Sequence, residues 1–232
     1  MGTTPMLLSR DAILRHMQEG NIIIDPFDAR KLNTASYDVT LGPWYWREKH
    51  PTGRAAVHNL YDERSTKLVW EGPFEAEPVG EVEEKIGQKL ENIPRDARVI
   101  LLGPGETILA HTEEYIGGRN CCVGKMYARS SLGRNFVEVC KDAGWGDVGY
   151  FNRWTMEVTN NSQHFYIPLV VGRRIAQMVF YEVEPITQRE GDYVKEGGKY
   201  QVATELEELK RSWNPQMMVP QMHRDWEIGA GK

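Results

Sequence analysis

Apolar residues fall in short runs separated by turn formers, not in long helical stripes. Ile22-Ile23-Ile24, Val99 to Leu102, Thr107 to Thr112 and Cys122 to Tyr127 each read as a strand. Phe136 to Val139, Trp154 to Thr159, Phe165 to Leu169 and Ile175 to Glu182 continue the series. Gly144, Gly146, Gly149, Asn160-Asn161-Ser162 and Gly172 punctuate it as turns. In Ala35 to Gly42, Tyr37, Val39 and Leu41 alternate with polar residues, which predicts a half-buried strand. Many short strands at this spacing predict an all-β sandwich or jelly roll.

Helical spacing is confined to two stretches. Ile13, Leu14 and Met17 recur behind Ser9, a candidate N-cap, and Gly20 ends the segment. Glu205 to Trp213 predicts a second short helix. Between Arg47 and Pro94 charges, glycines and prolines interrupt the pattern, so loops and short strands are expected there. Gly191 to Gln201 is glycine-rich and polar, and Asn214 to Lys232 reads as a loose tail or a subunit contact. The expected organisation is one domain over residues 1–201 and a C-terminal extension over 202–232.

The chain has 232 residues, 41% hydrophobic, enough for one substantial core. Its formal net charge of −5 provides no overall basic field, which argues against nucleic acid as a partner. An anionic ligand must then be met by a local cluster of cations. Cys121, Cys122 and Cys140 form neither a disulfide framework nor a CxxC zinc pair, and read as reduced thiols of a cytoplasmic protein. Cys121-Cys122 is expected to be a buried pair of small side chains. No apolar run approaches the roughly 18 residues of a membrane span, and Met1 to Pro5 lacks signal-peptide features. His111 and His164 are expected at strand ends. Trp44 and Trp46 are expected to pack rather than to stack on bases.

Candidate chemistry concentrates in Tyr127 to Arg134. Guanidinium forks and hydroxyls suit phosphate oxygens, which makes Arg129, Ser130 and Ser131 an anion-binding candidate. Downstream, Glu157 lies between Met156 and Val158, so a strand here can hold a carboxylate in a low-dielectric site. His111-Thr112-Glu113 has the HxE spacing, but no PCxxC accompanies it, so the paired signature of zinc deaminases is incomplete and no zinc is expected in the chemistry.

Arg129-Ser130-Ser131-Leu132-Gly133-Arg134, Ala143 through Asp147, and Glu157 within Thr-Met-Glu-Val-Thr-Asn together resemble the dCTP deaminases of the dUTPase-like superfamily. The resemblance extends to Leu8–Ile13, Ala35–Gly42, Pro168–Gln177 and Gly198-Lys199-Tyr200-Gln201, covering roughly residues 7–201 apart from the middle. It implies a distorted jelly-roll homotrimer with active sites between subunits, and a deoxynucleoside triphosphate substrate carrying Mg2+. By the same resemblance Glu157 is the general base and acid, Ser130 orients the water, and Arg134 keeps Glu157 ionised from the neighbouring subunit. Arg129, Ser131, Tyr193 and Lys199 face the phosphates, the Ala143-Gly144 backbone reads the pyrimidine edge, and Asp147 lies near the deoxyribose. Val148 stands where the family usually has proline, and Ala203 where it commonly has glutamine. Ala-Gly-aromatic at Ala143 to Trp145 is closer to dUTPases and bifunctional deaminases. The resemblance therefore leaves three readings open: a deaminase ending at dUTP or dUMP, a dUTPase without deamination, and a non-catalytic nucleotide-binding protein.

Overall fold

The computed structural model describes residues 6–51, 57–184, 193–194 and 198–229. The expectations for Met1 to Pro5, and for most of the glycine-rich stretch before Gly198, lie outside the described residues.

Helix α1 (Arg10–Gln18) starts at the Ser9 cap, whose hydroxyl accepts from the Ala12 amide. Strand β1 (Ile22–Asp25) follows, then β2 (Tyr37–Thr40) and β3 (Trp44–Glu48). Next come α2 (Glu63–Val69), β4 (Trp70–Glu75), β5 (Glu77–Pro78) and α3 (Val79–Ile86). The central strands are β6 (Arg98–Leu102), β7 (Thr107–Gly118) and β8 (Cys122–Ala128). A one-turn helix α4 (Ser130–Gly133) precedes β9 (Val137–Val139), β10 (Trp145–Gly146), β11 (Phe151–Asn160), β12 (Ile167–Val170) and β13 (Arg174–Glu182). The C-terminal part contributes α5 (Leu206–Ser212), two 3-10 turns (Pro215–Met218 and Met222–Arg224) and α6 (Trp226–Gly229).

One sheet runs β4-β3-β7-β11-β9, with β1 also paired to β7; a second runs β10-β8-β13-β2; a third runs β12-β6-β5. The pairings between these strands are antiparallel. Inward residues of the first two sheets, including Ala110, Met156, Tyr37, Val39 and Met178, form one core. This is the expected β-sandwich.

Several details differ from the sequence expectations. Strand β2 is buried along its whole length rather than on one face. Thr40 is satisfied inside the protein, and Asp38 accepts from Arg174 through one carboxylate oxygen. Thr40 donates from its amide and its hydroxyl to Glu114, at 2.9 and 2.8 Å, and Lys31 pairs with the same carboxylate at 2.7 Å. The stretch from Arg47 to Pro94 contains the helices α2 and α3 as well as strands. α3 exists because Val79 and Val82 pack on Val99 and Val170. Phe136 stands outside β9 with φ +67° and an exposed ring. Phe165 and Tyr166 are exposed ahead of β12, and His164 precedes that strand.

His111 is not at a strand end. β7 continues six residues past Thr112, to Gly118, which puts His111 mid-strand and fully buried. Its Nδ1 donates to the Thr112 carbonyl at 2.8 Å, its Nε2 accepts from the Trp44 amide at 3.3 Å, and its ring lies 4.6 Å from that of Trp213.

The segment expected to be a loose tail or a subunit contact packs on the body of its own chain through Pro215 to Val219. Met218 and Val219 bury against Trp46 and Leu109, and the Trp46 indole donates to the Pro215 carbonyl at 2.9 Å. Trp44 and Trp46 are packing residues, as expected. Among the described residues no helix is long and apolar enough to cross a membrane.

Candidate active site

Strand β11 builds the site through its two-residue period. Trp154, Met156 and Val158 point into the core, so Thr155 and Glu157 take the opposite face. Glu157 lies opposite Leu109 of β7 in the ladder. Leu109, Thr155 and Glu157 line a cavity of about 320 Å³, within the size range of small-molecule sites. Ala143, Trp145 and Asp147 contribute a second part of its lining. Tyr193, Tyr200, Met218 and Pro220 contribute a third.

Burial pushes the Glu157 carboxyl above its ordinary range, opposed by a hydrogen bond from its own amide and by the charge of Lys141. Lys141 sits in a run of three left-handed residues, Cys140, Lys141 and Asp142, at φ +67°, +40° and +65°. Such a run is strained for non-glycine residues, a feature that concentrates at functional sites. Gly144 fits only as glycine: a Cβ there would come 2.5 Å from the Met126 carbonyl oxygen. That approach lets the Met126 amide donate to the Gly144 carbonyl at 2.7 Å, which pins the segment to β8. The Trp145 indole donates to Asp147 at 2.8 Å.

The segment around Lys199 is anchored by Gln201. Its side chain is buried, accepts from the Phe151 amide at 2.8 Å and donates to the Gly149 carbonyl at 2.9 Å. Tyr193 packs edge-on against Tyr150, with ring centroids 4.9 Å apart, and its hydroxyl accepts from the Tyr200 amide at 3.2 Å. Lys199 does not line the cavity; it forms an ion pair with Asp225.

Of the residues singled out in the sequence, Glu157, Ala143, Asp147 and Tyr193 converge on the cavity. The Arg/Ser turn does not line it. Ser130, Ser131 and Arg134 are exposed on or next to α4, and among the described residues Glu157 has no ion-pair partner within the chain. Arg129 lies 3.5 Å from the buried Asp38 carboxylate, which also meets Arg174 at 3.0 Å. Two guanidiniums on one carboxylate leave a surplus positive charge beside the exposed serines. The sequence reading missed Thr155, Tyr150 and Trp154, and the extension residues Met218 and Pro220. Thr155 was within reach, since it is two positions before Glu157 on the same strand face.

A family model described as dCTP deaminase-like matches residues 7–183. A dCTP deaminase, dUMP-forming, of Nanoarchaeum equitans is 27% identical over 197 residues, covering 84% of this chain and 92% of that protein. One of Halobacterium salinarum with the same description is 31% identical over 199 residues, covering 84% of this chain and 90% of the relative. Among solved structures, the 2'-deoxycytidine 5'-triphosphate deaminase of Agrobacterium tumefaciens superposes with a TM-score of 0.52 at 16% identity. It covers 83% of this chain and 53% of the other, and it shows a shared fold.

Proposed function

Because this chain belongs to the dCTP deaminase-like family, we propose that it hydrolyses the 4-amino group of dCTP and then cleaves the triphosphate to give dUMP. The observation that carries this reading is the Glu157 carboxylate lining a cavity, with its proton affinity raised by burial. A carboxylate of this kind takes a proton from water as the water oxygen bonds to C4, passes it to N3, and then serves the departing amine. The balance is dCTP and water to dUTP and ammonia, followed by dUTP and water to dUMP and pyrophosphate. The relatives described as dUMP-forming support the second step.

In this proposal the backbone of Ala143 and Gly144 reads the pyrimidine edge and Asp147 sits by the deoxyribose. Ser130 and Arg134 reach Glu157 from a neighbouring protomer of a homotrimer. Their exposure in the single chain leaves them free to do so. Arg129, Ser131, Tyr193 and Lys199 meet the triphosphate, and Mg2+ arrives bound to it as part of the substrate.

The test is product analysis from dCTP and, separately, from dUTP. Ammonia from dCTP that disappears in Glu157→Gln is the expected result. Pyrophosphate from dUTP with no ammonia from dCTP would instead identify a dUTPase. Binding of either nucleotide without turnover would identify a non-catalytic nucleotide-binding protein.

A further inference from the structure

The end of α1 and the turn between β7 and β8 bring together three side chains unused by the proposed reaction. His16, Cys121 and Cys122 place one ligand atom each within 4.8 Å of one another. A tetrahedral zinc ion holds its sulfur and nitrogen ligands roughly 3.5–3.8 Å apart, so side-chain adjustment of about an ångström closes the set. We propose that His16, Cys121 and Cys122 form a binding site for a thiophilic divalent cation of the zinc type.

A second observation points the same way. His16 is 3% exposed, and its Nε2 is buried without any hydrogen-bond partner. A buried ring nitrogen with no partner is costly unless something fills its lone pair or accepts its proton. The other ring nitrogen is already oriented. Nδ1 lies 3.1 Å from the Asn21 side-chain amide and 3.6 Å from the Glu19 carboxylate. A metal-bound histidine donates its other ring N–H to an acceptor; with Nε2 on the ion, the acceptor beside Nδ1 is the Glu19 carboxylate, because the Asn21 amide nitrogen is itself a donor.

The surroundings are built to hold the cluster. The Arg119 amide donates to the Asn21 carbonyl at 2.7 Å, and Asn120 donates to the Asn21 side chain at 2.7 Å. The Cys122 amide donates to the Arg119 carbonyl at 2.8 Å. Cys122 is fully buried, whereas Cys121 is half-buried and gives the ion an entry path and a water for its fourth position. As the two sulfur–metal bonds form, each thiol releases its proton to solvent. None of the three ligands lines the Glu157 cavity, so the ion staples the first helix to the sheet and takes no part in the reaction. Adjacent cysteines do not match a CxxC spacing, and the histidine comes from a distant part of the chain, so no local pattern marks this site.

Cobalt(II) alone, added to the full chain after chelator treatment under reducing conditions, tests the proposal. One equivalent should produce visible d–d bands and an ultraviolet thiolate-to-cobalt charge-transfer band, both removed by stoichiometric zinc. Cys121→Ser and His16→Gln should weaken cobalt affinity by about 100-fold or more, while Cys140→Ser should keep the spectrum. Absence of thiolate-to-cobalt bands in the unaltered chain overturns the proposal, and so does a spectrum that survives Cys121→Ser. Should His16→Gln not fold, the half-buried Cys121→Ser decides alone. The readout needs no nucleotide, so it stands or falls apart from the deaminase reading.

Discussion

The Tyr200 hydroxyl accepts a hydrogen bond from the Gln221 amide at 3.2 Å. This contact ties the Gly198–Gln201 segment to the C-terminal extension beside the cavity, and the Lys199–Asp225 ion pair reinforces it. If Lys199 serves the triphosphate, Asp225 competes with the substrate for it. Asp225→Asn is expected to lower KM for dCTP by about five-fold, the worth of one partly exposed ion pair, with kcat unchanged. Lys199→Ala is expected to raise KM. Steady-state kinetics on both variants checks this; a KM unmoved in both shows that Lys199 serves only the extension.

In the proposed reaction Glu157 acts in its ionised form, and burial raises its affinity for a proton. The acid limb of kcat/KM is therefore expected above the ordinary carboxylate value of 4.5, with activity rising as pH increases through it. Glu157→Gln should lower turnover by at least about 100-fold while leaving dCTP binding measurable by calorimetry. A limb at or below the ordinary carboxylate range would mean that Arg134 of the neighbouring protomer outweighs burial, whereas undiminished turnover in Glu157→Gln would remove Glu157 as the base.

The strands were legible because their signals are local: β-branched runs, two-residue alternation and glycine turns. The helices α2 and α3 were not, because helices this short gain little from their own sequence and are held by tertiary packing such as Val79 and Val82 on Val99. The same division runs through the site. Glu157, Ala143, Asp147 and Tyr193 were picked out by motif and do share one cavity. Met218 and Pro220 carry no local signal, since their place depends on Trp46 and Leu109 receiving the extension from far along the chain. Ser130 and Arg134 are exposed and do not line the Glu157 cavity within the chain; in the proposed function they reach it from a neighbouring protomer.

Gly144 couples the site to the sheet. Alanine here would set its Cβ 2.5 Å from the Met126 carbonyl oxygen and 3.0 Å from the Met126 Cβ, and backbone cannot swing aside as a side chain can. Gly144→Ala is expected to destabilise the chain by about 1–3 kcal/mol and to shift the Ala143–Asp147 segment out of place. Urea unfolding together with dCTP turnover measures both. Near-native stability with native activity would show that the segment relaxes without consequence.

Glu114 is the hub of a buried polar cluster, taking Lys31 and both donors of Thr40. Glu114→Ala leaves a mostly buried ammonium and two donors without partners. The expected loss is about 3–5 kcal/mol, read as a lower urea midpoint at unchanged slope. Pairing Glu114→Leu with Lys31→Met removes both charges and should recover part of the loss, because the penalty comes from the stranded cation rather than from a missing attraction.

His111 supplies a pH dependence of stability with a definite sign. Its burial lowers its pKa from 6.5 to about 4, with Arg153 nearby adding to the effect. The folded state therefore favours the neutral ring, whose two nitrogens are both engaged, by the Thr112 carbonyl and the Trp44 amide. Between those two values the unfolded chain binds a proton that the folded chain refuses. The contribution is complete above pH 6.5 and is lost as pH falls toward about 4, a change of roughly 3 kcal/mol. His111→Gln keeps a donor and an acceptor but does not titrate. It should be less stable than the parent chain at pH 7.5 and should lose less stability on acidification. Urea midpoints measured at intervals from pH 7.5 down to pH 4.5 compare the two slopes; parallel curves would mean that carboxylates, not this ring, set the acid sensitivity of the fold.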